Sequence, residues 1–134
     1  QGFGDKAINI RPSGIYGRAR LMRLRKAREP QKEAVAPSHW SNRIMDSDLV
    51  TIITNVLTIH APKPLYIATD YAPVTTFDIG VWLSQQINET PPALDDKKVA
   101  VTGKRLHSNI PLAWLAYPDW QVGYRDILRH QEQH

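Results

Sequence analysis

The chain has 134 residues, 17 Lys and Arg against 13 Asp and Glu, 42% hydrophobic residues and no cysteine. That length fits one domain, taken as residues 1–134, with enough apolar material for a core. It excludes two domains of ordinary size, and the composition excludes disulfides, thiolate metal sites and a cysteine nucleophile. No apolar run reaches the ~20 residues of a membrane-spanning helix.

The net charge of +4 is unevenly spread, with ten of the 17 basic residues and three of the 13 acidic ones in positions 1–45. Arg18, Arg20, Arg23, Arg25, Lys26, Arg28 and Lys32 form the densest cluster. The opening QGFGDKAINIRPSG lacks the charged start, long apolar stretch and small-residue cleavage site of a secretory signal. Together with the missing cysteines this gives a cytoplasmic expectation. A first residue that is Gln rather than Met suggests a cut within a longer product.

In chain order, KAINIR (6–11) reads as a short buried strand ended by Pro12, and PSGIYG as a loop punctuated by Pro12, Gly14 and Gly17. RARLMRLRKARE (18–29) is rich in helix formers and stops at Pro30, with a thin apolar stripe of Leu21, Met22 and Leu24. A loop covers 30–42. DSDLVTIITNVLTIH (46–60) predicts a helix capped by Asp46 or Ser47, its broad apolar face made by Leu49, Ile52, Ile53, Val56, Leu57 and Ile59. PLYIATD (64–70) predicts a strand, and TTFDIGVWLSQQIN (75–88) a helix capped by Thr75 or Thr76 and closed by Pro91 and Pro92. KKVAVT (97–102) predicts a lysine-protected edge strand, and a last helix runs from about Asp119 to His130. This alternation gives the α/β class.

Three segments in this order resemble the extended short-chain dehydrogenases/reductases, the NAD-dependent epimerase/dehydratase family. RPSGIYG (11–17) is similar to the loop after the family's sixth strand. WSNRIMDSDLV (40–50) is similar to the segment before a long helix, and KRLHSNIPLAWLAYPDWQVGY (104–124) to the C-terminal element. The resemblance implies the C-terminal, substrate-side part of a Rossmann-type enzyme. It implies NAD or NADP as cofactor of the whole enzyme and a small, sugar-related or other polar molecule as substrate.

The glycine-rich turn that holds a dinucleotide pyrophosphate at a helix N-terminus is not found here. Gly2-Phe3-Gly4 lies too near the start to follow a strand, and Gly14–Gly17 has the wrong spacing. The family's chemistry needs a Tyr with a Lys four residues on. Tyr16, Tyr66, Tyr71, Tyr117 and Tyr124 are followed at that distance by Arg20, Asp70, Thr75, Gln121 and Leu128. No catalytic residue is therefore assigned, and no cofactor is expected to bind the chain alone. The missing half, or a second copy of the chain, is the expected partner.

By position, the resemblance assigns Pro12 and Ser13 to the cofactor and Gly14, Tyr16, Trp40 and Arg43 to the substrate. Arg43 has two readings: a bidentate ligand for a phosphate or carboxylate, or a structural pair with Asp48. Gly14 stands where nucleotide-sugar enzymes of the family carry Asn, Ser41 where they carry an Arg, and Met45 where His is usual. The histidines (39, 60, 107, 130 and 134) have no metal-ligand spacing. An alternative use of the chain is a basic nucleic-acid-binding or protein-interaction module over residues 18–32. No aromatic residue lies between Tyr16 and Trp40, which makes nucleic acid the lesser reading.

Overall fold

The computed structural model describes residues 7–132. Six short strands join in three pairs. β1 (Asn9–Pro12) runs parallel to β5 (Leu65–Ala68), with Asn9 opposite Leu65. β2 (Gly14–Tyr16) runs parallel to β4 (Arg43–Met45), and β3 (Trp40–Ser41) antiparallel to β6 (Val74–Thr75). Around them lie α1 (Met22–Arg28), α2 (Asp46–Thr58), α3 (Thr76–Gln86) and α4 (Trp120–Glu132), with one 3-10 turn at Leu112–Trp114. The fold is mixed α/β, as the alternation predicted.

Two apolar clusters form the core. One joins Tyr16 and Met45 to Leu24 and Ala27 of α1, Ile79 and Leu83 of α3, and Trp120, Tyr124 and Ile127 of α4. The other joins Ile44, Tyr66 and Ala68 to Ile52 and Val56 of α2, with Ile110 and Leu115 from the C-terminal loop. β4 contributes to both, because its residues alternate between faces.

Several expectations need correction. β1 includes Pro12 rather than ending before it, and Asn9, Arg11 and Pro12 are exposed rather than buried. Lys6, the expected start of that strand, lies outside the described residues. A proline is tolerated because β1 pairs on one side only, so no second ladder needs its N–H. The expected loop after it contains β2, since pairing with β4 outweighs the local Pro and Gly signals. The first helix is shorter than 18–29, because Gly17 and Arg20 exchange backbone hydrogen bonds (3.0 and 3.4 Å) in a tight turn before it. Its stripe runs deeper than expected, with Leu24 and Ala27 fully packed.

α2 ends at Thr58, and neither Asp46 nor Ser47 caps it; Met45 takes the cap position without a side-chain bond. Its broad apolar face is buried only at Ile52 and Val56, while Val50 and Leu57 remain 64% and 77% exposed. KKVAVT forms no strand. Val99 and Val101 are exposed, and the segment touches the sheet only where Thr102 bridges His39. Thr102 meets β3 on the edge opposite β6, where its carbonyl accepts the Trp40 N–H at 2.9 Å and its N–H donates to the Ser38 carbonyl at 3.0 Å, and the rest of the segment leaves that edge. α3 and α4 match their predictions, and Thr75 caps α3 by accepting the Asp78 N–H at 3.1 Å.

Candidate functional site

The parallel β2–β4 pairing places Gly14 opposite Arg43 and Tyr16 opposite Met45. Arg43 is 4% exposed, an unusual place for a guanidinium. Its Nη2 donates to Ser41 Oγ at 2.6 Å, and that hydroxyl donates onward to the Val74 carbonyl at 2.8 Å. The guanidinium carbon stands 5.9 Å from the centroid of the Trp120 ring. Its Nη1 has no hydrogen-bond partner among the described residues.

The backbone of Arg43 is fixed from the far side. Its carbonyl accepts the Asp70 N–H at 2.8 Å and the Thr69 hydroxyl at 3.2 Å. Asp70 sits just beyond the end of β5 and is buried. Its Oδ1 accepts the Ala72 N–H at 3.0 Å, and its Oδ2 finds no partner. The Tyr16 ring stacks on Tyr124 with centroids 4.7 Å apart, and the Tyr16 hydroxyl is buried without a partner. Gly123 makes room for this stack: a Cβ there would run into the Tyr16 hydroxyl and lie 3.0 Å from Cε2 of the ring.

Burial pushes the Asp70 carboxyl from 3.8 up to about 7, against the lowering effects of the Ala72 N–H and of Arg43. Burial likewise raises both phenols. The nearby Asp70 adds to the rise at Tyr16, while Arg43 and Arg23 oppose it at Tyr124. For Arg43 the direction is downward, again from burial, with the surrounding phenols and Asp70 opposing it. The cluster therefore holds two phenols that stay protonated, a carboxyl that changes charge near neutrality and a desolvated cation with a free donor. Such a set has the donors to receive an anionic or carbonyl oxygen, and its phenols are poor candidates for a base.

A cavity of about 100 Å³ opens here, its walls including Gly14, Tyr16, Arg20, Arg23, Arg43 and Tyr124. Of the six residues assigned from the sequence, Gly14, Tyr16 and Arg43 meet in it. Trp40 does not reach it, and its ring lies 4.7 Å from the Arg105 guanidinium. Pro12 and Ser13 lie at the β1–β2 junction, where the Ser13 hydroxyl donates to Thr69 Oγ1 at 2.9 Å. Of the two readings of Arg43, the structural pair with Asp48 does not form. Both Asp48 oxygens accept backbone N–H groups, of Ala116 and Tyr117, each at 2.9 Å.

Asp70, Tyr124 and Arg23 escaped sequence reasoning. Only Asp70 carried a signal: a carboxylate at the C-terminal end of a strand in a parallel pair, where ligands of α/β folds gather. Several of the basic residues 18–32 make internal contacts. Arg18 meets Asp126 at 3.5 Å, Arg28 donates to Gln131 Oε1 at 2.9 Å, and Lys32 donates to the Glu29 carbonyl at 2.9 Å. Among the described residues no cluster of His, Asp and Glu could hold a metal, and no helix is long and apolar enough to cross a membrane.

No protein-family profile and no curated protein matches this chain. Among solved structures it is similar to a protein from Methylobacillus flagellatus provisionally described as an NAD-dependent epimerase/dehydratase. The two are 31% identical with a TM-score of 0.79, over 93% of this chain and 47% of that one. A functionally unknown conserved protein from Silicibacter pomeroyi shares the fold, with 16% identity and a TM-score of 0.66 over 90% of this chain and 48% of that one. The chain thus spans about half the length of each neighbour, and its mixed α/β structure corresponds to part of a Rossmann-type domain.

Proposed function

We propose that this chain is the substrate-side half of an NAD(P)-dependent oxidoreductase of the extended short-chain, epimerase/dehydratase type, working in the cytoplasm and inactive on its own. The observation that carries the reading is the β2–β4 pairing. It sets Gly14 and Tyr16 beside a buried Arg43 whose Nη1 is free, in a chain similar to about half of an NAD-dependent epimerase/dehydratase. In this reading Arg43 binds a carboxylate or phosphate of a small polar, sugar-related substrate, with Arg20 and Arg23 adding positive charge at the cavity wall. Gly14 keeps the approach open, and Tyr16, locked against Tyr124, forms the floor.

The residues in hand do not make a dinucleotide site by themselves. Pro12 has no N–H, and the Ser13 hydroxyl is committed to Thr69, so neither supplies the row of donors a pyrophosphate needs. Pro12 and Ser13 fit the border of such a site, with NAD or NADP held by the other half. That half, or self-association in its absence, is the proposed partner.

The test is the polypeptide encoded together with the residues upstream of Gln1. A glycine-rich strand–turn–helix and a Tyr-x-x-x-Lys there, with nicotinamide-dependent turnover that Arg43→Gln weakens chiefly through KM, would support the proposal. An upstream sequence without either motif, or turnover indifferent to Arg43→Gln, would refute it.

A further inference from the structure

A second and larger cavity, about 400 Å³, lies between α1, α3 and the stretches 32–36 and 92–102. That volume suits a small molecule, for which sites run from roughly 300 to 1,000 Å³. It shares Arg23 with the site described above and otherwise has its own walls. Ala27, Val35 and Pro92 give it apolar sides. Arg23 and Lys26, three residues apart on α1, both line it, and no ion pair joins either to a carboxylate among the described residues. The other two lysines at the rim are engaged: Lys32 donates to the Glu29 carbonyl, and Lys98 lies 3.9 Å from Asp95. Ser84 is wholly buried where α3 lines the cavity, and its hydroxyl has no hydrogen-bond partner. A buried hydroxyl without a partner is costly, and a ligand oxygen would satisfy it.

We infer that this cavity binds a small organic anion, a phosphate or carboxylate carried on an apolar ring. Arg23 and Lys26 hold the charge, and Ala27, Val35 and Pro92 enclose the ring. Burial lowers the pKa of Arg23, which an anionic ligand would counter. The inference rests on no part of the oxidoreductase reading.

The experiment titrates the ¹⁵N-labelled chain with 2-naphthyl phosphate, 2-naphthoate, 2-naphthol and inorganic phosphate. The two aromatic anions should move the amides of Ala27, Val35, Ala36 and Gly80 saturably. Naphthol and inorganic phosphate should each bind about tenfold more weakly or worse, the loss of one charge-assisted contact or of the apolar enclosure. Whether phosphate or carboxylate binds better identifies the natural headgroup. Lys26→Gln, at an exposed position, should weaken both anions about tenfold, and Ala34→Trp should block the cavity without disturbing the core. Arg43→Gln should leave these affinities unchanged. Naphthol binding as tightly as the anions, shifts scattered over other surfaces, or indifference to both Lys26→Gln and Ala34→Trp would overturn the inference. Sensitivity to Arg43→Gln alone would return the ligand to the first site.

Discussion

Replacing Asp70 by Asn isolates the one carboxyl that burial carries to neutrality. Asp70 is 1% exposed; its Oδ1 is bound to the Ala72 N–H and its Oδ2 is bare. Its folded-state value, about 7, lies well above the ordinary 3.8. The native state therefore holds a proton that the unfolded chain releases. The associated stabilisation is complete below the ordinary value, is lost progressively as the pH rises toward the folded value, and is absent above it. Between pH 5 and pH 8 the unfolded aspartate is ionised throughout, while the native one ionises only near the top of the range. This costs the native state about 2–3 kcal/mol across the window, at ~1.4 kcal/mol for each pH unit over which only the unfolded state ionises. Asn keeps the acceptor for Ala72 and cannot ionise. The stability gap between Asp70→Asn and the parent, read from urea unfolding, should therefore shrink toward acid and widen by roughly that amount, in the variant's favour, between pH 5 and pH 8. Parallel pH profiles for the two proteins would refute the reasoning, as would a parent that gains stability relative to the variant across this window.

Asp48→Ala removes the acceptor shared by the Ala116 and Tyr117 N–H groups and should cost about 2–4 kcal/mol in denaturant unfolding, the penalty for two stranded donors. Asp48→Asn, which keeps one acceptor, should cost less. Gly123→Ala forces a methyl group into the Tyr16–Tyr124 stack; it should destabilise by about 1–3 kcal/mol and alter the near-ultraviolet circular dichroism of the tyrosines. Val50→Lys with Leu57→Lys, on the bare face of α2, should change stability by less than ~0.5 kcal/mol while reducing self-association seen by light scattering. An unaltered association constant would show that this face is not the one that associates.

The elements whose signals are local were readable. Thr75 caps α3, the helix stops ahead of the closing prolines, and α4 falls where a last helix was expected. Elements defined by a distant partner were not. Nothing near Gly14-Ile15-Tyr16 says strand until Arg43–Met45 lies alongside, and nothing near Val99 says loop until Thr102 is seen to be the segment's one bridge to the 38–40 stretch. α2 shows the converse. Its apolar periodicity is genuine, but the described residues bury only part of it, so the pattern overstated the packing. The site divides the same way. Gly14, Tyr16 and Arg43 were found through a motif, whereas Asp70 and Tyr124 join them only through β5 and α4 crossing the same spot. Trp40 came from the same resemblance, yet it lies on β3, paired with β6, rather than on β4 beside Gly14, and its ring meets Arg105 instead.

The strand pairings also dictate an order of assembly. Asn9 waits for Leu65, Gly14 for Arg43 and Trp40 for Thr75, so none of the named strands is closed by a hairpin turn. Each pair requires a long loop to close before any ladder energy returns, the condition under which folding is slow. During synthesis β1 and β2 lack these partners while α1 is made, and the Tyr16 ring has no stacking partner until Tyr124 emerges. Strands held open this long leave the nascent chain open to protease, and resistance should appear only once α4 has cleared the exit tunnel.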